Sequence, residues 1–175
     1  MSFLLAGCGA SDDPQAAFEA GDYERAHELW LPRAEAGDAE AQNALGTMHY
    51  LGLGSGRDYR KAQRWFEQAA RQGHPGAQRN LGMLYSDGRG VERDYIEAYS
   101  WFYAADKQGN ASADAYIKSL ASKLTPNQQM KARRMADRYI LNPTADYLPE
   151  LKPPELESGT KDMRATDNNA NQDPG

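Results

Sequence analysis

The chain has 175 residues, 40% of them hydrophobic and 26% charged, with a formal net charge of −5. That length suits one domain of ordinary size, and the acidic balance argues against a nucleic-acid partner held by overall charge. A single cysteine, Cys8, rules out an internal disulfide and a cysteine-built zinc site, and no run of about 18 apolar residues offers a spanning helix.

In chain order, the first predicted elements are two helices, near 13–20 and 22–36, with Gly21-Asp22 as a short junction. A helix then runs from about Ala39 to Leu51. Its Ala41, Ala44, Leu45 and Met48 recur at i, i+3, i+4 and i+7, the spacing of one buried stripe. The glycines between Gly52 and Gly56 break it. Asp58 is a good N-cap for the following helix, because a carboxylate accepts the unpaired N–H groups of a first turn. Tyr59, Ala62, Trp65, Phe66, Ala69 and Ala70 make that helix's apolar stripe and are expected in the core. Gly73 fits the left-handed position beyond a helix end, and Pro75 suits the start of the next helix.

The whole pattern then recurs. Shifting the sequence by 36 positions aligns 41–76 with 77–112 and gives 15 identities without a gap, against about two from chance at ordinary composition. The identities include Ala41/Ala77, Gln42/Gln78, Gly46/Gly82, Asp58/Asp94, Trp65/Trp101, Phe66/Phe102, Gln72/Gln108 and Gly73/Gly109. Gly46 and Gly82 stand inside helices, where glycine costs about 1 kcal/mol against alanine. Their recurrence predicts close approach of a partner helix. Asp94 and Glu97 have the spacing of a capping box. Gly21-Asp22-Tyr23, Ala26 and Leu29-Trp30 carry the period backwards. Ala113, Ile117 and Leu120 carry it forwards until it fades.

Beyond the repeats a helix is predicted over Ser112–Lys123. Thr125-Pro126 with Gln128 opens a last helix that Pro143 stops near Leu141. Lys123, Lys131, Arg133, Arg134 and Arg138 gather there, read as a solvated helix face. The organisation is therefore a segment 1–12, a helical region 13–141 and a tail 142–175. The helical region divides into 13–38, repeats 41–76 and 77–112, and a cap 113–141. The tail, with seven acids, three bases and five prolines, lacks apolar periodicity and is expected to stay outside the fold.

Ala-x-x-x-Leu-Gly, the Gly-x-Gly loop, Asp-Tyr-x-x-Ala, Trp-Phe-x-x-Ala and a closing glycine at this period resemble the Sel1-like repeat, over roughly 14–141. The resemblance implies an all-α, right-handed α/α superhelical solenoid of about eight antiparallel helices. It implies adaptor work, with a protein or peptide partner on the concave face. By analogy with tetratricopeptide positions that face would hold Asn43, Thr47, Tyr50, Arg79, Met83 and Ser86. His49 and Ser55 depart from the family's pattern, where the second repeat has Tyr85 and Val91.

Leu5-Ala6-Gly7-Cys8 resembles a bacterial lipobox, whose cysteine is lipidated. No lysine or arginine and only a short apolar stretch precede it, so this reading expects the true start upstream. Lipidated Cys8 would anchor the chain to a membrane. Gly9 after the cysteine implies the periplasmic side of the outer membrane. The alternatives are a soluble cytoplasmic adaptor with Cys8 incidental, or an accessory subunit of a cell-envelope enzyme system.

Catalytic motifs do not assemble. Gly52-x-Gly54-x-Gly56 lacks a following Gly-Lys-Ser/Thr and a preceding strand, so it reads as an interhelix loop. Ser158-x-x-Lys161 lies in the tail without companion motifs. His27, His49 and His74 fall on three different elements, and Glu24-x-x-His27 lacks the other carboxylates of a di-iron site. No nucleophile, base and orienting group can be nominated. The sequence thus points to no enzyme, metal or cofactor.

Overall fold

A computed structural model describes residues 12–141. Cys8, its lipobox and the tail from 142 lie outside the described residues. Eight helices follow one another: α1 Pro14–Glu19, α2 Tyr23–Glu35, α3 Ala39–Leu51, α4 Tyr59–Arg71, α5 Pro75–Asp87, α6 Tyr95–Lys107, α7 Ala113–Ala121 and α8 Pro126–Leu141. No strand occurs among the described residues. Each helix from α1 to α6 packs on the next, α3 also touches α5, and α8 folds back onto α6. This is an α/α solenoid with a capping helix at its C-terminal end.

Aspartates start most of these helices. The Asp58 carboxylate accepts from the amides of Arg60 and Lys61 at 3.0 and 2.9 Å, and Asp94 accepts from Ile96 and Glu97 at 2.7 and 3.1 Å. Asp13, Asp22 and Asp38 cap α1, α2 and α3 in the same way. Each cap satisfies first-turn donors that otherwise lack partners. At α5 a histidine takes this role: His74 Nδ1 accepts from the Ala77 amide at 3.1 Å. Nδ1 being an acceptor, the neutral ring carries its proton on Nε2, which lies 2.9 Å from the Glu40 carboxylate. At α8 the expected capping box forms in both directions. Gln128 Oε1 accepts from the Thr125 amide at 2.9 Å, and Thr125 Oγ1 accepts from the Gln128 amide at 3.3 Å.

The loops after α3 and α5 turn on glycine. Gly54 and Gly90 have φ of +73° and +74°, and a Cβ at either would stand 2.6 Å from backbone atoms of Tyr23 or Tyr59. Each loop therefore rests directly on the start of the helix two elements earlier. A side chain at either glycine would separate neighbouring repeats.

The core is one apolar layer per helix pair. Ala41, Leu45 and Met48 pack with Ala26 and Trp30. Ala62, Phe66, Ala69 and Ala70 pack with Ala77, Leu81 and Leu84. Ala98, Tyr99, Phe102 and Ala105 pack with Ala113, Leu120 and Ala132. Small alanines at the crossing points let helices approach while Phe66 and Phe102 fill the volume between them.

Two sequence expectations need correction here. Tyr59 and Trp65, expected in the core, are only partly buried, Trp65 at the edge of the N-terminal cluster and Tyr59 at the edge of the central one. Trp101 is buried, because Tyr139 of α8 stacks on it at 4.0 Å between ring centroids. The Asp94–Glu97 spacing gives the forward half of a capping box, and the Glu97 carboxylate accepts from the Tyr139 hydroxyl at 3.0 Å. The basic side chains of the cap are all exposed, as expected of a solvated face, and two of them also rest on aromatic rings. Arg133 donates to the Tyr99 hydroxyl at 3.3 Å and sits over the Tyr103 ring, and Lys123 sits over Tyr95.

Candidate ligand-binding groove

Alternate helices α3, α5 and α7 line one side of the stack. Between them lies a cavity of about 310 Å³, at the small end of ligand-sized pockets. Thr47, Tyr50 and Leu51 come from α3, Arg79, Asn80 and Met83 from α5, and Tyr116 from α7. Phe66 of α4, itself buried, forms part of the floor. The helical period explains the selection. Leu45 and Met48, or Leu81 and Leu84, turn into the core, which leaves positions 47, 50 and 51, or 79, 80 and 83, on the flank.

Four of the six residues expected on this face, Thr47, Tyr50, Arg79 and Met83, line the cavity. Asn43 lies behind it, its side-chain oxygen accepting from Asn80 Nδ2 at 3.1 Å. Ser86 is partly buried and does not line the cavity. Leu51, Asn80, Tyr116 and Phe66 belong to the site without having been expected there. Tyr116 sits where the repeat pattern is fading, at the position equivalent to Asn80, and Phe66 belongs to the core stripe.

The groove joins apolar surface to polar groups held in place. Leu51 and Tyr116 are 47% and 39% exposed, and Met130, elsewhere, is the third large apolar residue so exposed among the described residues. Tyr116 is fixed by stacking on Phe102 at 4.6 Å. The Tyr50 hydroxyl accepts from Arg89 at 2.6 Å, and Arg89 is neutralised by Asp87 at 3.3 Å. Arg79 donates through Nη2 to Asn80 Oδ1 at 3.0 Å, and Asn80 is held in turn by Asn43. A side chain entering the cavity would meet rigid aromatic walls and a row of fixed amide and guanidinium donors.

Outside the groove, one pair has the look of reactive chemistry. Ser55 Oγ lies 3.0 Å from His49 Nδ1. Among the described residues no carboxylate hydrogen-bonds to His49 to orient it, so the pair lacks the third member of a hydrolytic set. No group of three or more His, Cys, Asp or Glu residues is placed to hold a metal ion among the described residues. None of the described helices is long and apolar enough to cross a membrane.

Comparison with known proteins places the two helix pairs in one family. The Sel1 repeat model matches residues 39–74 and 75–110, the same 36-residue period as the internal alignment, set two residues earlier. Among solved structures, the chain is similar to a protective antigen present in uropathogenic Escherichia coli strains and displaying an SLR fold. The identity is 31% and the TM-score 0.70, over 73% of this chain and 28% of that one. It is also similar to a Sel1 repeat protein from Oxalobacter formigenes, at 27% identity and a TM-score of 0.60, over 72% of this chain and 54% of that one. The chain thus spans less than two thirds of either relative. No curated protein matched.

Proposed function

We propose that this chain, whose two central helix pairs match the Sel1 repeat of families that generally serve as protein-interaction scaffolds, is a non-enzymatic adaptor holding a protein or peptide in the groove between α3, α5 and α7. The observation that carries this reading is the convergence in one cavity of Leu51, Tyr116 and Met83 with the donors of Arg79 and Asn80. Exposed aromatic and apolar anchors beside a few fixed polar groups are what binding surfaces concentrate. The test is affinity capture from membrane extracts with the full chain and with Leu51→Ser/Tyr116→Ser. The variant should keep its helical circular dichroism and lose the captured partner. An unchanged capture profile would sink the groove reading.

The adaptor is, in this reading, tethered through lipidated Cys8 at the periplasmic face of the outer membrane. Support comes from the four-residue motif ending in the chain's one cysteine and from Gly9 after it. One acyl chain binds a membrane marginally, whereas several together anchor durably. Detergent phase partitioning of the native protein and of Cys8→Ser separates the alternatives. Partitioning of the native form alone into detergent supports the tether, and aqueous partitioning of both supports the soluble adaptor.

A further inference from the structure

Among the lysines and arginines of the described residues, three are partly buried: Arg25, Arg71 and Arg79. Arg25 pairs with Asp12 and Glu28, and Arg71 pairs with Glu67 at 2.7 Å. Arg79 pairs with no carboxylate among the described residues. Its one hydrogen-bond partner is the neutral Asn80 amide, and its Nε is buried without any acceptor. A guanidinium in such a position is a poor choice for stability, because burying an uncompensated charge and an unmet donor is unfavourable. It lines the same cavity as Met83, Tyr116 and the floor residue Phe66.

We infer that the groove is a receptor for a carboxylate set next to an apolar side chain: the ligand's carboxylate pairs with Arg79, and its neighbouring apolar group fills the space against Phe66, Met83 and Tyr116. This rests on the reading of the groove as a peptide site and adds the chemistry of its occupant. A planar guanidinium suits a carboxylate, which it holds through paired, charge-assisted hydrogen bonds. The other cation near the cavity, Arg89, is already occupied by Asp87 and Tyr50, so the selectivity falls on Arg79. The size of the cavity admits about one large side chain with its adjoining polar group. The carboxylate can be a chain terminus or an Asp or Glu side chain, since both present the same two oxygens.

The experiment uses the full chain and three fluorescent octapeptides that share one apolar, Phe-containing sequence. The first has an internal Glu beside Phe and an amidated end. The second has Gln in that place and a free C-terminal carboxylate. The third has Gln and an amidated end. Fluorescence anisotropy should show the third binding about tenfold more weakly than at least one of the others. Which of the first two binds tighter identifies the source of the carboxylate. Arg79→Met should erase the preference while leaving the thermal midpoint unchanged or higher, and Arg79→Lys should keep part of it. Equal binding of all three, a preference that survives in Arg79→Met, or binding of none each overturns the carboxylate inference. Equal binding that Tyr116→Ser abolishes would leave the groove itself standing as a neutral apolar site.

Discussion

Ser55 Oγ lies 3.0 Å from Nδ1 of His49, so the two residues at which the first repeat departs from the family's pattern are bonded to each other. In the second repeat Tyr85 and Val91 occupy these places, and both pack on the apolar core. One repeat closes its loop with a polar pair and the next with an apolar one. The polar pair has an electrostatic setting that the apolar one lacks. His49 is buried, and its ring meets that of His27 edge-on at 5.4 Å.

This arrangement makes stability depend on pH. Burial, then the charge of Lys61, holds the pKa of His27 below the ordinary histidine value, with Glu28 opposing. Burial, then His27 and Lys61, holds that of His49 down, with Asp58 opposing and Arg64 adding. The unfolded chain therefore takes up protons first as pH falls, and the stability present above about pH 6.5 declines below it. Asp38 and Asp58, held low chiefly by Arg33 and by the Lys61 amide respectively, lose their contribution only below about pH 4. Urea midpoints should accordingly fall between pH 7.5 and 5. The double change His49→Tyr/Ser55→Val should flatten that slope, whereas Ser55→Val alone should cost about 1 kcal/mol by removing the partner of His49. A slope unchanged in the double variant would show that other groups carry the acid sensitivity.

The two helix-interior glycines differ despite occupying the same repeat position. A Cβ on Gly46 would stand 2.5 Å from the buried Phe66 ring, and one on Gly82 would stand 3.0 Å from Phe102. Alanine gains about 1 kcal/mol in helix propensity at either site. Overpacking against a ring that cannot move aside costs about 1–3 kcal/mol. Gly46→Ala should therefore lower stability by up to about 2 kcal/mol, while Gly82→Ala should be close to neutral. Thermal melts of the two single variants measure the difference, and equal shifts would contradict it.

The C-terminal cap offers a graded test. Tyr139 stacks on Trp101 with its ring nearly parallel and donates to the buried Glu97 carboxylate at 3.0 Å. Tyr139→Phe keeps the stacking and loses the bond, a loss of about 1.5–3 kcal/mol when the acceptor is charged. Tyr139→Ala removes the ring as well, adding about 0.5–1.5 kcal/mol for the aromatic pair and more for lost burial. Chemical denaturation should rank wild type above the phenylalanine variant and that above the alanine variant. If phenylalanine equals wild type, the hydroxyl contributes nothing to docking α8.

The helix boundaries were readable in the sequence because each is set by local chemistry. Asp58, Asp94 and Thr125 cap starts, Gly73 and Gly109 end helices with φ of +85° and +90°, and Pro75 occupies a first turn. The groove was half readable. Thr47, Tyr50, Arg79 and Met83 follow from the analogy with tetratricopeptide positions, which sets them beside the buried stripe. Tyr116 does not, because it depends on α7 continuing the stack after the repeat has faded. The isolation of Arg79 from every carboxylate among the described residues, and the contact between His27 and His49, are properties of packing between helices. Spacing along the chain carries no trace of either.

The repeated glutamines show the same limit and give the sharpest structural prediction. Gln42 and Gln78 matched in the repeat alignment, yet nothing in their spacing says what they do. Gln78 is fully buried. Its Nε2 donates to the Ala70 carbonyl at 3.1 Å near the end of α4, and its Oε1 accepts from Gln108 Nε2 at 2.8 Å just after α6. Gln42 repeats the arrangement with the Ala34 carbonyl at 3.0 Å and Gln72 at 2.7 Å. Each buried amide thus ties its own helix to the C-terminal ends of the helices before and after it. Gln78→Leu fits the volume but leaves the Gln108 amide without its acceptor and takes one of two donors from the Ala70 carbonyl, which keeps the Gly73 amide at 3.0 Å, a loss of about 1–3 kcal/mol. Gln108 is only partly buried, so water can replace its bond, and Gln108→Ala should cost less. Gln78→Glu should cost most, because it sets a carboxylate against the Ala70 carbonyl it no longer donates to. Urea unfolding should give the order Gln108→Ala, Gln78→Leu, Gln78→Glu from mildest to most severe. A Gln78→Leu variant as stable as wild type would mean that apolar packing alone, without the amide relay, sets how successive repeats stack.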